Sequence, residues 1–366
     1  MVTPNHVLQD DSLFEFCRIA GQKLGRHLAP DNLLMVAAIA MSYFFTARFG
    51  LQVASPNAMV TAFWLPSGIS LAALLLKGNR VLPGIFLGSF LVIFTGHGSW
   101  MASLGTAAGS CAAAMIGVSL VNRYAHGTKA FYKAWDTFRF VVFAGLLPTM
   151  FSATIGVYLL CRDGSASWSD FSLIWPVWWI GDSVGVILLA PFLVLLFSHT
   201  HHCLSISEIF EATLLLAGLS FAALMNFGPP VFSWVPRTGL LFLCAPFLFW
   251  AAYRFCPLEA AGSMLVVAGF AMWGSLHGYG PYGNTTSAPL FVAGYVIVAS
   301  ATTMIGAAIR FQMKEQAEIA LGWYFAHLQT KDNEILELRE TVASLEVEIA
   351  DKRLCGMDRI SGRNGG

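Results

Sequence analysis

For roughly its first three hundred residues the chain alternates long apolar runs with short polar breaks; it then changes to a seven-residue rhythm. The apolar runs fall near 33–53, 58–76, 81–95, 100–121, 138–160, 171–197, 209–227, 239–254, 258–276 and 288–309. About 20 helical residues, rising 1.5 Å each, cross a hydrocarbon core of roughly 30 Å. The pattern therefore predicts an all-α protein, a polytopic transmembrane helix bundle of about eight to ten spans. The second and third runs are short and hold Pro66, Gly68, Pro83 and Gly84. One of them is expected to be broken or re-entrant, which a membrane tolerates only where protein or water satisfies the freed backbone.

The run Phe171 to Phe197 is 27 residues long and carries a single charge, Asp182, near its middle. A carboxylate at that depth costs about 2.5–3.5 kcal/mol on insertion scales, so it needs a partner or a wet cavity. Trp175, Trp178 and Trp179 precede it, and Gly181 and Gly185 form a small-xxx-small step that admits another helix closely. Two roles stand open for Asp182: a packing residue that hydrogen-bonds a neighbouring helix, or a ligand or signalling group.

Both flanks of the apolar region are periodic. Ser12 and Glu15 fit a capping box, and Leu13, Phe16, Cys17, Ala20, Leu24 and Leu28 share one face of a helix over 12–28. Such a helix is expected to lie on the inner membrane surface. Downstream, Leu321, Tyr324, Leu328, Lys331, Ile335, Leu338, Val342, Leu345 and Ile349 step by three and four in turn, the a/d seam of a coiled coil. β-Branched Ile335, Val342 and Ile349 at a, with Leu338 and Leu345 at d, favour a parallel two-stranded coil, hence a parallel homodimer. Glu334 faces Arg339 of a partner in that register, and Glu348 faces Arg353. The competing account is one amphipathic helix packed on another domain.

Composition sharpens this division. Hydrophobic residues make up 56% and charged residues 11%, against about 25% charged in soluble domains. Of 21 basic and 21 acidic residues, 17 lie at 311–366. The expected organisation is a cytoplasmic amphipathic segment (1–32), a membrane domain (33–312), a coiled-coil helix (313–354) and a disordered tail (355–366). The polar first 30 residues lack the apolar core of a signal peptide. Lys and Arg gather at 18, 23 and 26, at 77 and 80, at 123, 129, 133 and 139, and at 310 and 314, while the alternate connections hold few. The positive-inside rule then puts both termini in the cytoplasm of a bacterial inner membrane protein. A net charge of zero gives no reason to expect nucleic acid.

Metal and catalytic chemistry find little support. The seven cysteines show no CxxC or metal spacing. His199, His201 and His202 share a loop without Cys or Asp beside them, so a solvated loop is the simpler reading. His277 lies in a Gly- and Pro-rich loop and fits a turn. No cluster of His, Asp and Glu has catalytic spacing, so no enzyme activity and no cofactor are expected.

One stretch reads Trp64-Leu65-Pro66-Ser67-Gly68-Ile69, followed by Gly78, Arg80, Pro83, Gly84 and Gly88. With it go the Trp178, Trp179, Gly181, Asp182, Gly185 block and the pair Gly280-Pro281. Together they resemble the bacterial membrane-associated sensor domain family, first MASE type, over residues 33–312. The resemblance implies a multi-helix sensory input placed before a histidine kinase core, a GGDEF diguanylate cyclase or another output. No ATP-binding, GGDEF or EAL motif is present. His327 lacks the acidic neighbour of a phosphoacceptor, and the closing DRISGRN loosely matches the opening of a GGDEF domain.

The expected function is an integral membrane sensor that detects a small ligand or a membrane partner and signals through the coil. Asp182, Trp175, Trp178, Trp179, Gly181 and Gly185, with Trp64, Pro66, Ser67, Gly68 and Arg80, are the candidate site or hinge. Leu328, Ile335, Leu338, Val342, Leu345 and Ile349 are the candidate coil interface. A transporter is the alternative, compatible with interrupted helices and a mid-membrane acid. Against it stand the dimerising tail and the lack of a second deep acid or an internal repeat.

Overall fold

The computed structural model describes residues 30–52, 61–97, 99–198, 205–229, 240–281 and 288–361, with side chains, His97 apart, up to residue 350. Every regular element among the described residues is a helix. Helices α1 (Pro30–Gln52), α2 (Leu65–Lys77), α3 (Leu82–His97) and α4 (Trp100–Tyr124) are followed by α5 (Ala134–Phe140) and α6 (Leu147–Arg162). Then come α7 (Phe171–Val184), α8 (Ala190–Phe197), α9 (Ile206–Phe227), α10 (Ala245–Arg254), α11 (Pro257–Leu276) and α12 (Ala288–Ser361). Eight helical stretches are long and apolar enough to cross a membrane; one of them, Leu65–Gly96, holds both α2 and α3, and a shorter apolar stretch covers Leu241–Arg254. The expected polytopic all-α bundle is present. The 12–28 helix and the 199–202 histidines lie outside the described residues.

The run predicted over 58–76 becomes a helix only at Leu65. Residues 61–64 are non-helical, and Pro66 sits at the start of α2, where its missing N–H costs nothing. At 13 residues α2 is about 20 Å long, too short to span alone. The 3-10 turn Gly78–Val81, with Gly78 at φ 68°, carries the chain into α3. Helices α1 and α3 run parallel: Gly84 stands on Val36 and Ile39, and Gly88 on Ala40 and Tyr43.

Two helices widen locally, and each time a proline explains it. Val141–Leu146 and Gly185–Leu189 are π-helical, and Pro148 and Pro191 follow them. A proline ring clashes with the carbonyl four residues back, here Ala144 and Ile187, and a π turn relieves that clash.

The core is one packed body with two regions. Around α1–α8, Tyr43, Ala73, Leu74, Ile85 and Val92 pack together. Nearer the other end, Phe131, Phe140, Val194, Leu195 and Met304 do. The second region joins α9–α12 to Ala62, Phe63, Val184 and Leu188, so the non-helical stretch before α2 and the π segment after α7 lie where the regions meet. At the rim of α9–α10 an ion pair links Glu211 and Arg254 at 2.8 Å, and the Trp250 indole N–H donates to Glu211 at 3.0 Å. His277 caps α11 and stacks on Tyr279. It is followed by Gly278 and Gly280 at positive φ, which is the turn role.

The chain divides after Phe311 into two compact units. In the second, α12 continues as helix to Ser361, past Leu354 and into the stretch expected to be a disordered tail. Met357 to Ile360 contain no proline and no β-branched run, so Gly356 alone does not stop the helix. Leu328, Ile335, Leu338, Val342, Leu345 and Ile349 are all exposed along this helix. Glu334 pairs with Lys331 at 3.1 Å within the chain.

Candidate functional site

The geometry of the site begins at Gly185. Two stretches of backbone meet there in direct contact. A Cβ on Gly185 would collide with the Trp64 carbonyl oxygen and the Ser67 hydroxyl, and one on Gly68 with the Gly185 carbonyl. A Cβ on Gly181 would strike the Thr61 carbonyl. Only glycine permits this approach, and it brings 61–68 alongside α7. Hydrogen bonds then close the joint. The Trp64 N–H donates to the Gly181 carbonyl at 3.1 Å. The Ser67 hydroxyl reaches the Trp64 carbonyl at 2.8 Å and the Asp182 carbonyl at 2.9 Å. The Gly181 and Asp182 carbonyls also accept the Gly185 N–H within the helix, and the second lone pair of each oxygen takes these outside donors. The break before α2 is thus satisfied in part by protein, with the Phe63 N–H meeting the Thr61 hydroxyl at 3.3 Å, as a non-helical stretch at membrane depth requires.

This joint fixes the Asp182 side chain inward. Asp182 is 4% exposed, with the Ser152 hydroxyl and the Trp178 indole within hydrogen-bonding reach of its carboxyl group. It lines two adjoining cavities, of about 60 and about 30 Å³, and the larger has room for a few waters. Tyr43, Ser110 and Ser152 also line both. Tyr43 donates to Ser110 at 3.5 Å, and Ser110 contacts Ser89 at 3.2 Å, so α1, α3 and α4 each present a hydroxyl to the same space. On the other side of α7, Ser183 donates to the Trp179 carbonyl at 2.8 Å and meets Thr149 at 3.0 Å. The Thr106 hydroxyl, on a residue 6% exposed, lines the larger cavity without a hydrogen-bond partner.

The candidate residues separate into three groups. Asp182, Trp178 and Trp64 line the larger cavity. Ser67, Gly68, Gly181 and Gly185 build the joint, and buried Pro66 starts the helix beside it. Trp175 and Trp179 lie away from the cavity: their indoles bond Thr154 and the Leu146 carbonyl of the neighbouring helix, each at 3.0 Å. Arg80 is exposed on the turn at the far end of α2 and is not brought to Asp182.

Tyr43, Ser89, Thr106, Ser110 and Ser152 were not among the expected site residues. Their one signal in sequence is a hydroxyl inside an apolar run. That signal is blurred because Thr46, Thr95, Ser119 and Thr154 sit in the same runs on outward faces, bonding the carbonyl four residues back.

No group of three or more His, Cys, Asp or Glu that could hold a metal occurs among the described residues. A family model described as MASE1 matches residues 35–313. No curated protein and no solved structure matches the chain.

Proposed function

The chain belongs to the MASE1 family of membrane sensory domains, and from that premise we propose that it detects a small ligand in the Asp182 cavity. We propose further that it passes the occupied state to a cytoplasmic output through α12. The observation that carries the reading is the joint at Gly185. The backbone on which Asp182 stands is hydrogen-bonded to the non-helical stretch before α2, so a ligand that moves the carboxyl group also moves α2 and α8.

The route onward is short. Ala130 and Phe131, in the 3-10 turn Gly127–Tyr132, share a core with Val194 and Leu195 of α8 and Met304 of α12. The Tyr132 ring stands 4.9 Å from Phe311, and the Arg310 guanidinium lies over Tyr253, 5.4 Å from the ring centre. The turn is braced from behind: buried Asp136 meets His126 at 2.8 Å and Arg139 at 3.4 Å. A sensor needs two states with different affinity for the signal. Repacking at this turn supplies the second state, and the heptad seam of α12, paired in parallel with a second copy, carries it outward. The basic connections support the reading that this turn and both termini face the cytoplasm of a bacterial inner membrane.

The experiment is Asp182→Ala in the full chain joined to a cytoplasmic reporter. The expected result is an output fixed in one state in a protein that still inserts. Truncation leaves the Ser152 and Trp178 donors unpaired, at a cost of about 1–3 kcal/mol. Unchanged output together with unchanged stability would sink the reading. Solute uptake by proteoliposomes would replace it with a carrier.

A further inference from the structure

We propose that the ligand of the Asp182 cavity is a small organic cation, an ammonium compound such as a short-chain or methylated amine, reaching the cavity from the end of the bundle where α1 and α3 finish. The proposal rests on the sensor reading for its purpose, but its chemistry comes from the cavity walls.

Charge is the first argument. Asp182 is buried beside two neutral donors, Ser152 and Trp178. No Lys or Arg lines either cavity among the described residues, and the stretch 53–60 that follows α1 contains none. A buried carboxylate without a counter-charge is costly, and a bound cation offsets part of that cost. Shape is the second. Trp64, Trp178 and Tyr43 all line the larger cavity. Aromatic side chains around an acid suit an ammonium group rather than a strongly hydrated metal ion, since a ring that turns its face to the ligand adds cation–π attraction. The third is hydrogen bonding. The partnerless Thr106 hydroxyl opens onto the same space and can accept an N–H, as the Ser110 hydroxyl can.

Access follows from the helix directions. Leu51 and Gly96, at the last turns of α1 and α3, line the larger cavity, as does Leu160 near the end of α6. The smaller cavity lies deeper and is walled by Leu71, Ala144 and Pro148. The opening thus faces the end of the bundle opposite Arg80 and Lys129, which the basic connections make the external side.

The test uses the full chain in nanodiscs, read by intrinsic tryptophan fluorescence and thermal unfolding. The probes are methylammonium, ethylammonium and tetramethylammonium chlorides. Sodium chloride at matched ionic strength and acetamide, a neutral compound of similar size, are the comparisons. The expected result is a saturable response to at least one amine that exceeds the salt response. It should weaken tenfold or more in Asp182→Asn and severalfold in Thr106→Val, which keeps the carboxylate should the first variant fail to fold. An equal response to sodium, a response to acetamide alone, or no amine response in the wild type overturns the proposal. The reporter fusion separates the two readings. Amine binding that leaves output unmoved keeps the ligand class and sinks the sensor. Output driven by a non-amine and lost in Asp182→Asn sinks the ligand class and keeps the sensor.

Discussion

Gly185→Ala tests the joint on which the mechanism depends. The added methyl meets the Trp64 carbonyl and the Ser67 hydroxyl. The carbonyl belongs to the backbone and cannot rotate away, so 61–68 must retreat from α7. Retreat stretches two hydrogen bonds, Trp64 N–H to Gly181 and Ser67 to Asp182, each worth about 0.5–1.5 kcal/mol. Overpacking strain adds about 1–3 kcal/mol. Alanine's better helix propensity returns about 1 kcal/mol. The net expectation is a loss of about 1–5 kcal/mol, read from the midpoint and slope of denaturant titrations in detergent micelles. Gly269→Ala is the control: it too lies within an apolar helix, but no atom stands within 4 Å of its built Cβ, so it should be neutral or gain up to about 1 kcal/mol. Gly68→Ala collides with Gly185 across the same contact, so the double variant should lose less than the sum of the singles. If Gly185→Ala unfolds with Gly269→Ala, within about 0.5 kcal/mol, the backbone joint is not a structural constraint and Asp182 is not positioned by it.

Two further expectations concern transmission. Tyr132→Ala removes the ring against Phe311; ligand binding measured by fluorescence should persist while reporter output stops responding, and an unaltered dose–response curve would exclude this turn as the route. Replacing Ile335 and Val342 together by Lys puts charges on the a positions of the seam. The variant should then run as a monomer in multi-angle light scattering where the parent runs as a dimer, and a parent that is itself monomeric refutes the self-paired coil.

Much of the fold was legible because a bilayer enforces long apolar runs and leaves charge only at the ends. The runs over 171–197 and 100–121 reappear as α7–α8 and α4 with shifts of a few residues. The element least well read was the stretch before α2. Hydropathy treats Thr61 to Phe63 as part of a span, yet these residues are buried without being helical. The Phe63 N–H is met by the Thr61 hydroxyl and the next N–H, that of Trp64, by Gly181 of α7, and a window average along one segment cannot see a hydrogen bond to a residue more than a hundred positions away. The π segments escaped for a related reason. Pro148 and Pro191 announce a disturbance, but whether it becomes a kink or a widened turn depends on which neighbours can accept the displaced carbonyls.

The site divides along the same line. Asp182 could be found because a lone acid in an apolar run is costly enough to need a reason, and Gly181 and Gly185 because their spacing signals close approach. The sequence placed all three tryptophans around the acid, but helical rotation decides among them. Trp178 faces the cavity, whereas Trp175 and Trp179, three residues back and one ahead, turn their indoles to the neighbouring helix. The hydroxyls of Tyr43, Ser89, Thr106 and Ser110 come from three other helices. Each is unremarkable in its own run, since a hydroxyl in lipid can bond its own backbone at little cost. What distinguishes Thr106 is that its hydroxyl makes no such bond, while Ser103, one turn earlier in the same helix, accepts that option and bonds the Ser99 carbonyl. A buried hydroxyl that forgoes its local partner while lining the space around an acid with no Lys or Arg beside it is the arrangement expected when the missing partner arrives as a ligand.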